Sequence, residues 1–292
     1  MADGNITVTT ADKHIGEVWP GAVIRAAEFN MVWAARISRE WEYKGYGDVY
    51  HFPRIPNIES QTKAAGTDWT PKTYTDTEQT ITINTHQVAG FQIEDIVKVL
   101  ANTNLESEMR RKLGYSLSRA VEVAIAALPQ SFSQTVGTYG LELTYDNLLR
   151  AWRYLADAGI DTANDCFIVI SPAAQAGLKK LDTFISSEYQ GPNPQMVEKN
   201  TIGRFQGMPV TYSNLTRAPS AGQSDSAMFY RGAMAMITAQ APKVVTEYRA
   251  LGLSMVVGSH QIYGLAEIDR YSETPGNITA TDEWAVLLKT IG

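Results

Sequence analysis

The residues able to do chemistry in this chain are few and poorly grouped. Its single cysteine, Cys166, lies in the apolar run Cys166 to Ile170, where a thiol is a small core residue and no nucleophile. The same count rules out an intrachain disulfide and a multi-thiolate zinc site. Four histidines, His14, His51, His86 and His260, fall at no metal-ligand spacing, and no HExxH pattern occurs. Glu94 and Asp95 are adjacent acids, but neighbours on a helix point about 100° apart, so they read as charges complementing a helix N-terminus. Neither GxGxxG nor GxxxxGK[ST] is present to cradle a phosphate, and no GxSxG elbow offers a serine. The reading is therefore no catalytic residue, no metal and no cofactor, and not an enzyme; an intracellular α/β enzyme with an unrecognised site ranks last among the readings, and a tightly bound small molecule in the purified protein would favour it.

Composition narrows the class. The chain has 292 residues, 44% hydrophobic and 19% charged, with 14 Tyr, 8 Phe and 6 Trp, which excludes global disorder. No apolar stretch approaches the roughly 20 residues of a membrane helix. The opening MADGNITVTTADKH has acids and threonines where a secretion signal carries basic and then apolar residues, so the product is expected inside the cell. A net charge of -6 opposes sequence-specific nucleic-acid binding.

The elements follow from periodicity. Val18, Trp19, Val23, Ile24, Ala27, Met31, Trp33, Ala34 and Ile37 predict one or two short helices in an N-terminal arm, broken at Pro20-Gly21. A hairpin is expected over 43–86: turn chemistry at Lys44 to Asp48, a short strand from Val49 to Ile55 containing Pro53, a polar tip from 56 to 71, and period-two alternation from Thr73 to His86. Its outer half is too polar to fold back on its own core. Leu105, Met109, Leu113, Leu117, Val121, Ala124 and Leu128 form one stripe on a long helix ending at Pro129, with Glu106, Glu108, Arg110, Arg111, Lys112, Arg119 and Glu122 off that stripe. Gly114 inside it marks close packing or a bend.

From residue 144 helices and strands alternate. Thr144 caps a helix through Ala158, Cys166 to Ile170 is a strand, and Ser171-Pro172 starts a helix through Leu181. Met208 to Ser213 and Met228 to Thr238 read as strands around a polar loop, Thr216 to Ser226. Strand-like runs at Lys243 to Ala250, Ser254 to Val257 and Ile262 to Tyr271 are joined by Gly252, Gly258 and Gly264, before a short amphipathic segment from Trp284 to Ile291. The fold class is α+β.

This order of parts resembles the major capsid protein of tailed bacteriophages, the Hong Kong 97-type fold. The more specific likeness is Ile202-Gly203-Arg204-Phe205-Gln206-Gly207-Met208-Pro209-Val210-Thr211-Tyr212-Ser213-Asn214, similar to an Ile-Gly-x-x-x-Gly-x-x-Val-x-x-Ser-Asn segment of such proteins. Lys44 to Pro56 and Glu94-Asp95 ahead of the long helix carry further likeness. The resemblance implies an N-terminal arm at 1–42, an extended loop at 43–80, a peripheral domain of 81–143 and 242–292 with its spine helix, and an axial domain at 144–241. It implies pentamers and hexamers of self in an icosahedral head, located in the virion and assembled in the host cytoplasm. The partners it implies are a portal, a scaffolding protein and a decoration protein, around double-stranded DNA held without sequence-specific binding and with no membrane.

The likeness departs from its founding pattern in two ways. No long scaffold-like segment precedes the arm, so scaffolding is expected as a separate protein, and no lysine, asparagine and glutamate set for covalent cross-linking can be matched. An encapsulin-like compartment shell holding a cargo enzyme is the alternative. Intersubunit contacts are expected at Trp19 and Trp33 of the arm and at Lys44, Arg54, Lys63, Asp68, Trp69 and Lys72 of the hairpin. An acidic wall would also keep packaged DNA from sticking.

Overall fold

The computed structural model describes residues 28, 31–43, 45–54, 60–71, 77–100, 105–181, 203–271, 280–281 and 284–292. In chain order its strands and helices are β1 (Val49–Arg54), β2 (Thr77–Thr82), β3 (Thr85–Glu94), α1 (Asp95–Leu100), α2 (Leu105–Ala127), β4 (Thr135–Gly137), α3 (Tyr145–Asp157), β5 (Cys166–Ile170), α4 (Pro172–Leu178), β6 (Arg204–Phe205), β7 (Met208–Tyr212), β8 (Gln223–Tyr230), β9 (Met234–Arg249), β10 (Ser254–Glu267), β11 (Arg270–Tyr271), β12 (Ala280–Thr281) and β13 (Ala285–Ile291). Two larger sheets organise them: six strands in the order β4-β13-β8-β5-β7-β6, and three in the order β3-β10-β9.

The six-stranded sheet is covered on both faces. On one side Leu148 and Leu155 of α3 and Ala174 and Leu178 of α4 pack with Ile168, Ile170, Met228, Val286 and Leu288. On the other, Val121 and Ile125 of α2 meet Val169, Ala227, Phe229 and Leu287, with Val32, Trp33 and Ile37 completing the layer. A strand closed in this way reads as a near-continuous apolar run, as β5 does from Cys166 to Ile170. The local signals that start its helices are explicit: Thr144 accepts from the Asn147 N–H at 3.2 Å and Ser171 accepts from the Ala174 N–H at 3.1 Å, with Pro172 in the first turn.

The segment carrying the capsid-like residues is a tight hairpin between β6 and β7. Gln206 and Gly207 both hold positive φ, 47° and 86°, as a two-residue turn between antiparallel strands demands. A Cβ on Gly207 would also stand 3.2 Å from Ala163 Cα, so this turn has no room for a side chain.

The three-stranded sheet lies against α2 on one face only. Phe91, Ile93, Val257, Ser259, Gln261 and Tyr263 are on the covered side, and Gln261 donates to the Leu117 carbonyl at 3.2 Å. The hairpin springs from its base. Register pairs Val49 with Thr82 and Arg54 with Thr77, and Ile81, fully buried beside Ala235, Ile237 and Ile268, roots it in the body of the fold. Gly264 permits this junction, because a Cβ there would meet the Thr82 carbonyl oxygen at 2.6 Å.

Several expectations are corrected. Residues 31–43 are a turn with a bridge from Ser38 to Ala235 and contain no helix, because their backbone groups are taken by partners elsewhere in the fold; the arm up to residue 27 lies outside the described residues. The runs at 254–257 and 262–271 belong mainly to a single strand, β10, with Gly258 and Gly264 inside it. The strand expected from Met228 to Thr238 breaks at the short helical turn Arg231–Ala233. The C-terminal segment, expected with the long helix, is β13, an inner strand of the six-stranded sheet paired with β4 and β8, since its alternate residues fill both cores. Gly114 is solvent-exposed, and an added Cβ would meet nothing within 4 Å, so close packing does not explain it.

Candidate functional site

Built from the side chains upward, the described residues assemble no reaction centre. Cys166 is buried and its thiol is pushed up to about 12, first by that burial and then by Asp161 and Asp165, so it is held as an inert neutral group. Asp161 closes a local turn, accepting from the Ala163 N–H at 3.1 Å and from Asn164 Nδ2 at 2.7 Å, while Asp165 faces Arg231 at 3.7 Å. These two aspartates, with Tyr230 and Trp284, line an open hollow of about 410 Å³, and both carboxylates are engaged there by the turn and by Arg231. Glu94 ends β3 and Asp95 begins α1, where Asp95 accepts from the Tyr248 hydroxyl at 2.7 Å. Among the described residues no group of three or more His, Cys, Asp or Glu could hold a metal ion, and no helix is long and apolar enough to cross a membrane.

Surfaces are what the molecule offers instead. Residues 60–71, including Lys63, Asp68 and Trp69, are exposed throughout; Trp69, at 60% exposure, is a large apolar ring with little of its own subunit against it. Trp19, Lys44 and Lys72 lie outside the described residues, as does the Arg54 side chain. A second surface is at the far end of the three-stranded sheet. There Ile96, Val99 and Leu100 of α1 are exposed together with Tyr248 at the end of β9 and Leu251 and Leu253 in the turn that follows. The Asp95 N–H donates to the Leu253 carbonyl at 2.9 Å, joining the short helix to that turn. Six exposed apolar side chains thus gather at one end of the chain's fold.

Trp33, expected to await a neighbour, is instead fully buried within its own chain and stacked on Phe229 at 5.8 Å between ring centroids. The device that puts it there is Glu122. This side chain has no solvent exposure, and its two carboxyl oxygens accept from three consecutive backbone N–H groups: Val32, Trp33 at 2.5 Å and Ala34 at 2.9 Å. A carboxyl group is buried only with such partners. Arg36 supports the same turn, donating to the Val32 carbonyl at 2.6 Å and lying over the Phe167 ring; burial lowers its affinity for the proton, and Glu122 opposes that. Nearby, Glu28 bridges Arg111 at 2.5 Å and Lys112 at 2.9 Å, and these two cations hold its carboxyl below the usual range.

Sequence reasoning placed Glu122 among the solvated charges of the helix. The missed signal was its setting, Val121-Glu122-Val123-Ala124-Ile125-Ala126, the most apolar stretch of α2.

No protein-family model matches the chain, and no curated protein matches it. Its fold does match solved structures. A chain from Mycobacterium phage Che8 superimposes with a TM-score of 0.77 at 18% identity, covering 94% of this chain and 96% of that one. A chain from the capsid structure of the Cyanophage P-SCSP1u gives a TM-score of 0.76 at 14% identity, over 99% of this chain and 96% of that one. A chain from the asymmetric unit of the bacteriophage PhiM1 mature capsid gives 0.72 at 13% identity, over 94% and 92%. The chain therefore has an α+β fold shared with chains of phage capsids.

Proposed function

We propose that this chain is the major structural subunit of a tailed-phage head and is not an enzyme. The observation that carries the reading is coextension: the fold runs over 94–99% of this chain and 92–96% of the matched phage chains, so the shared shape is the whole subunit and not one borrowed domain. The physical surfaces agree with it. An exposed hairpin tip and an apolar sheet end are poor features for a monomer and useful ones for a repeated heterologous contact.

In this reading the subunits form pentamers and hexamers that close into an icosahedral shell around double-stranded DNA, with a portal, a scaffolding protein and a decoration protein as partners, in the virion after assembly in the host cytoplasm. The hairpin at 43–80 is the extended loop, lying across a neighbour through Lys44, Arg54, Lys63, Asp68, Trp69 and Lys72. The three-stranded sheet with α2 is the peripheral domain, and the six-stranded sheet is the axial domain, now with 135–137 and 285–291 added to it. The net charge of -6 keeps the wall from gripping the genome.

The decisive experiment expresses the chain alone and with its neighbouring genes, followed by light scattering and negative-stain microscopy. Hollow particles of uniform diameter are expected. A small monodisperse species in both preparations would overturn the proposal. Deleting Ile58 to Thr70 sharpens it: the subunit should stay soluble while particles are lost, and normal particles from that deletion would remove the hairpin from assembly.

A further inference from the structure

Two of the four histidines, 174 positions apart in sequence, meet on the open face of the three-stranded sheet. Register sets His260 of β10 opposite Val88 and His86 of β3 opposite Ile262, so the two rings are diagonal neighbours on one face, within reach of each other across the strand pair. Their Nε2 (His86) and Nδ1 (His260) atoms stand 3.1 Å apart, with ring centroids at 5.2 Å and planes inclined at 65°. The third strand is irregular at the same level. Pairing of β9 steps from Lys243 opposite His260 to Gln240 opposite Ile262, leaving Ala241 and Pro242 as a bulge.

We propose that His86 and His260 form a two-point surface site for a borderline divalent cation of the Cu²⁺, Ni²⁺ or Zn²⁺ class. Imidazole nitrogen is the ligand these ions take, whereas Mg²⁺ and Ca²⁺ prefer oxygen. The two nitrogens share a hydrogen bond at 3.1 Å, so one proton lies between them, and a cation would take that proton's place. Two nitrogens bound at about 2.0–2.1 Å to one ion, with an angle between right and tetrahedral, stand about 2.9–3.4 Å apart, so the exchange keeps nearly the same separation. Small side-chain rotations aim both lone pairs at the ion, and the strands already fix the two Cα positions. Solvent fills the remaining coordination positions, because this face is open. Lys243 opposes His260 on β9, and its long flexible stem lets the ammonium stand away in water. With two protein ligands the affinity belongs on the order of micromolar, far below a closed four-ligand site.

The site is independent of the assembly reading, and so is its test. Cu²⁺ is titrated into the full chain at neutral pH and followed by electron paramagnetic resonance, with Zn²⁺ titration calorimetry beside it. One ion per chain is expected, with a Cu²⁺ spectrum split by two ring nitrogens. His86→Ala and His260→Ala should each weaken binding by at least about tenfold and leave one nitrogen in the spectrum. Both side chains face solvent, so the variants should unfold at the wild-type temperature without metal; His51→Ala should bind as the wild type does. Saturating Zn²⁺ should raise the unfolding temperature of the wild type and not of the double variant. Binding that needs more than about 1 mM ion, or binding unchanged in the double variant, would overturn the proposal.

Discussion

In the six-stranded sheet every residue of β8 from Ser224 to Phe229 is buried, and β13 is buried from Ala285 to Leu288. In the three-stranded sheet β3 alternates between covered and open residues, and β9 is exposed on both faces from Ala241 onward. The first sheet is finished by its own chain, with α3 and α4 on one side and the arm and α2 on the other. The second has one face of its own and leaves the rest to water or to other molecules. A single polypeptide thus contains a closed body and an open one, and α2 is common to both: Val121 and Ile125 enter the closed core while Leu117 and Gln261 meet under the open sheet.

The strongest test of that sharing is Leu117→Asp, which buries a charge at a position only 2% exposed. The chain should fail to fold as a whole; a soluble, cooperative variant with native circular dichroism would show that the two bodies are separable. Next is Glu122→Ala, which strands three buried N–H groups of the arm. A loss of roughly 3–5 kcal/mol is expected in denaturant unfolding, with Glu122→Gln, which keeps one acceptor oxygen, losing less.

Tyr139 probes the closed body alone. It donates to Asp225 Oδ1 at 2.7 Å while Arg217 donates to Oδ2 at 2.6 Å, and the Asp225 side chain is fully buried. Burial first, then the bond to Asp225, raises the phenol from its ordinary 10.0 to about 12. The folded state therefore holds the neutral form, and this contribution is whole below pH 10 and is lost as pH climbs toward 12. Tyr139→Phe should cost about 1–2 kcal/mol at neutral pH, a difference that shrinks on titration through that window. The smallest effect is a gain. Gly114→Ala places a methyl in open space on an exposed helix turn and should add about 0.5–1 kcal/mol to unfolding stability.

Legibility in the sequence followed the same division. Elements with a cap or a continuous apolar stripe of their own are readable: α2 runs from Leu105 to Ala127 against a stripe read to Leu128, and α3 starts at the Thr144 cap. Elements defined by distant partners were not. The arm's spacing imitates a helix from Met31 to Ile37, but Glu122 takes the N–H groups and Ser38 exchanges bonds with Met234 and Met236, so the backbone has better partners than its own carbonyls. Gly258 and Gly264 read as breaks because a glycine in a strand and a glycine in a turn are identical in sequence; at Gly264 the close approach of the Thr82 carbonyl is a long-range fact with no local signal. The His86–His260 pair depends on strand register and has no local signature. Of the expected contact residues, Trp69, Lys63 and Asp68 lie on the exposed tip, whereas Trp33 has its partner in Phe229.

The length of β9 has a mechanical meaning. Its 16 residues, at about 3.3 Å each, span about 50 Å. One end is buried at Met234 to Ile237, and the other is exposed at Tyr248 and Arg249. The strand is paired with β10 along nearly its whole course. A pull along its axis at the exposed end therefore loads those hydrogen bonds in parallel shear, while a sideways push is opposed by only one neighbouring strand. Pairing of this kind should make the strand stiff along its axis and compliant across it, a tie rod under tension and a leaf spring in bending.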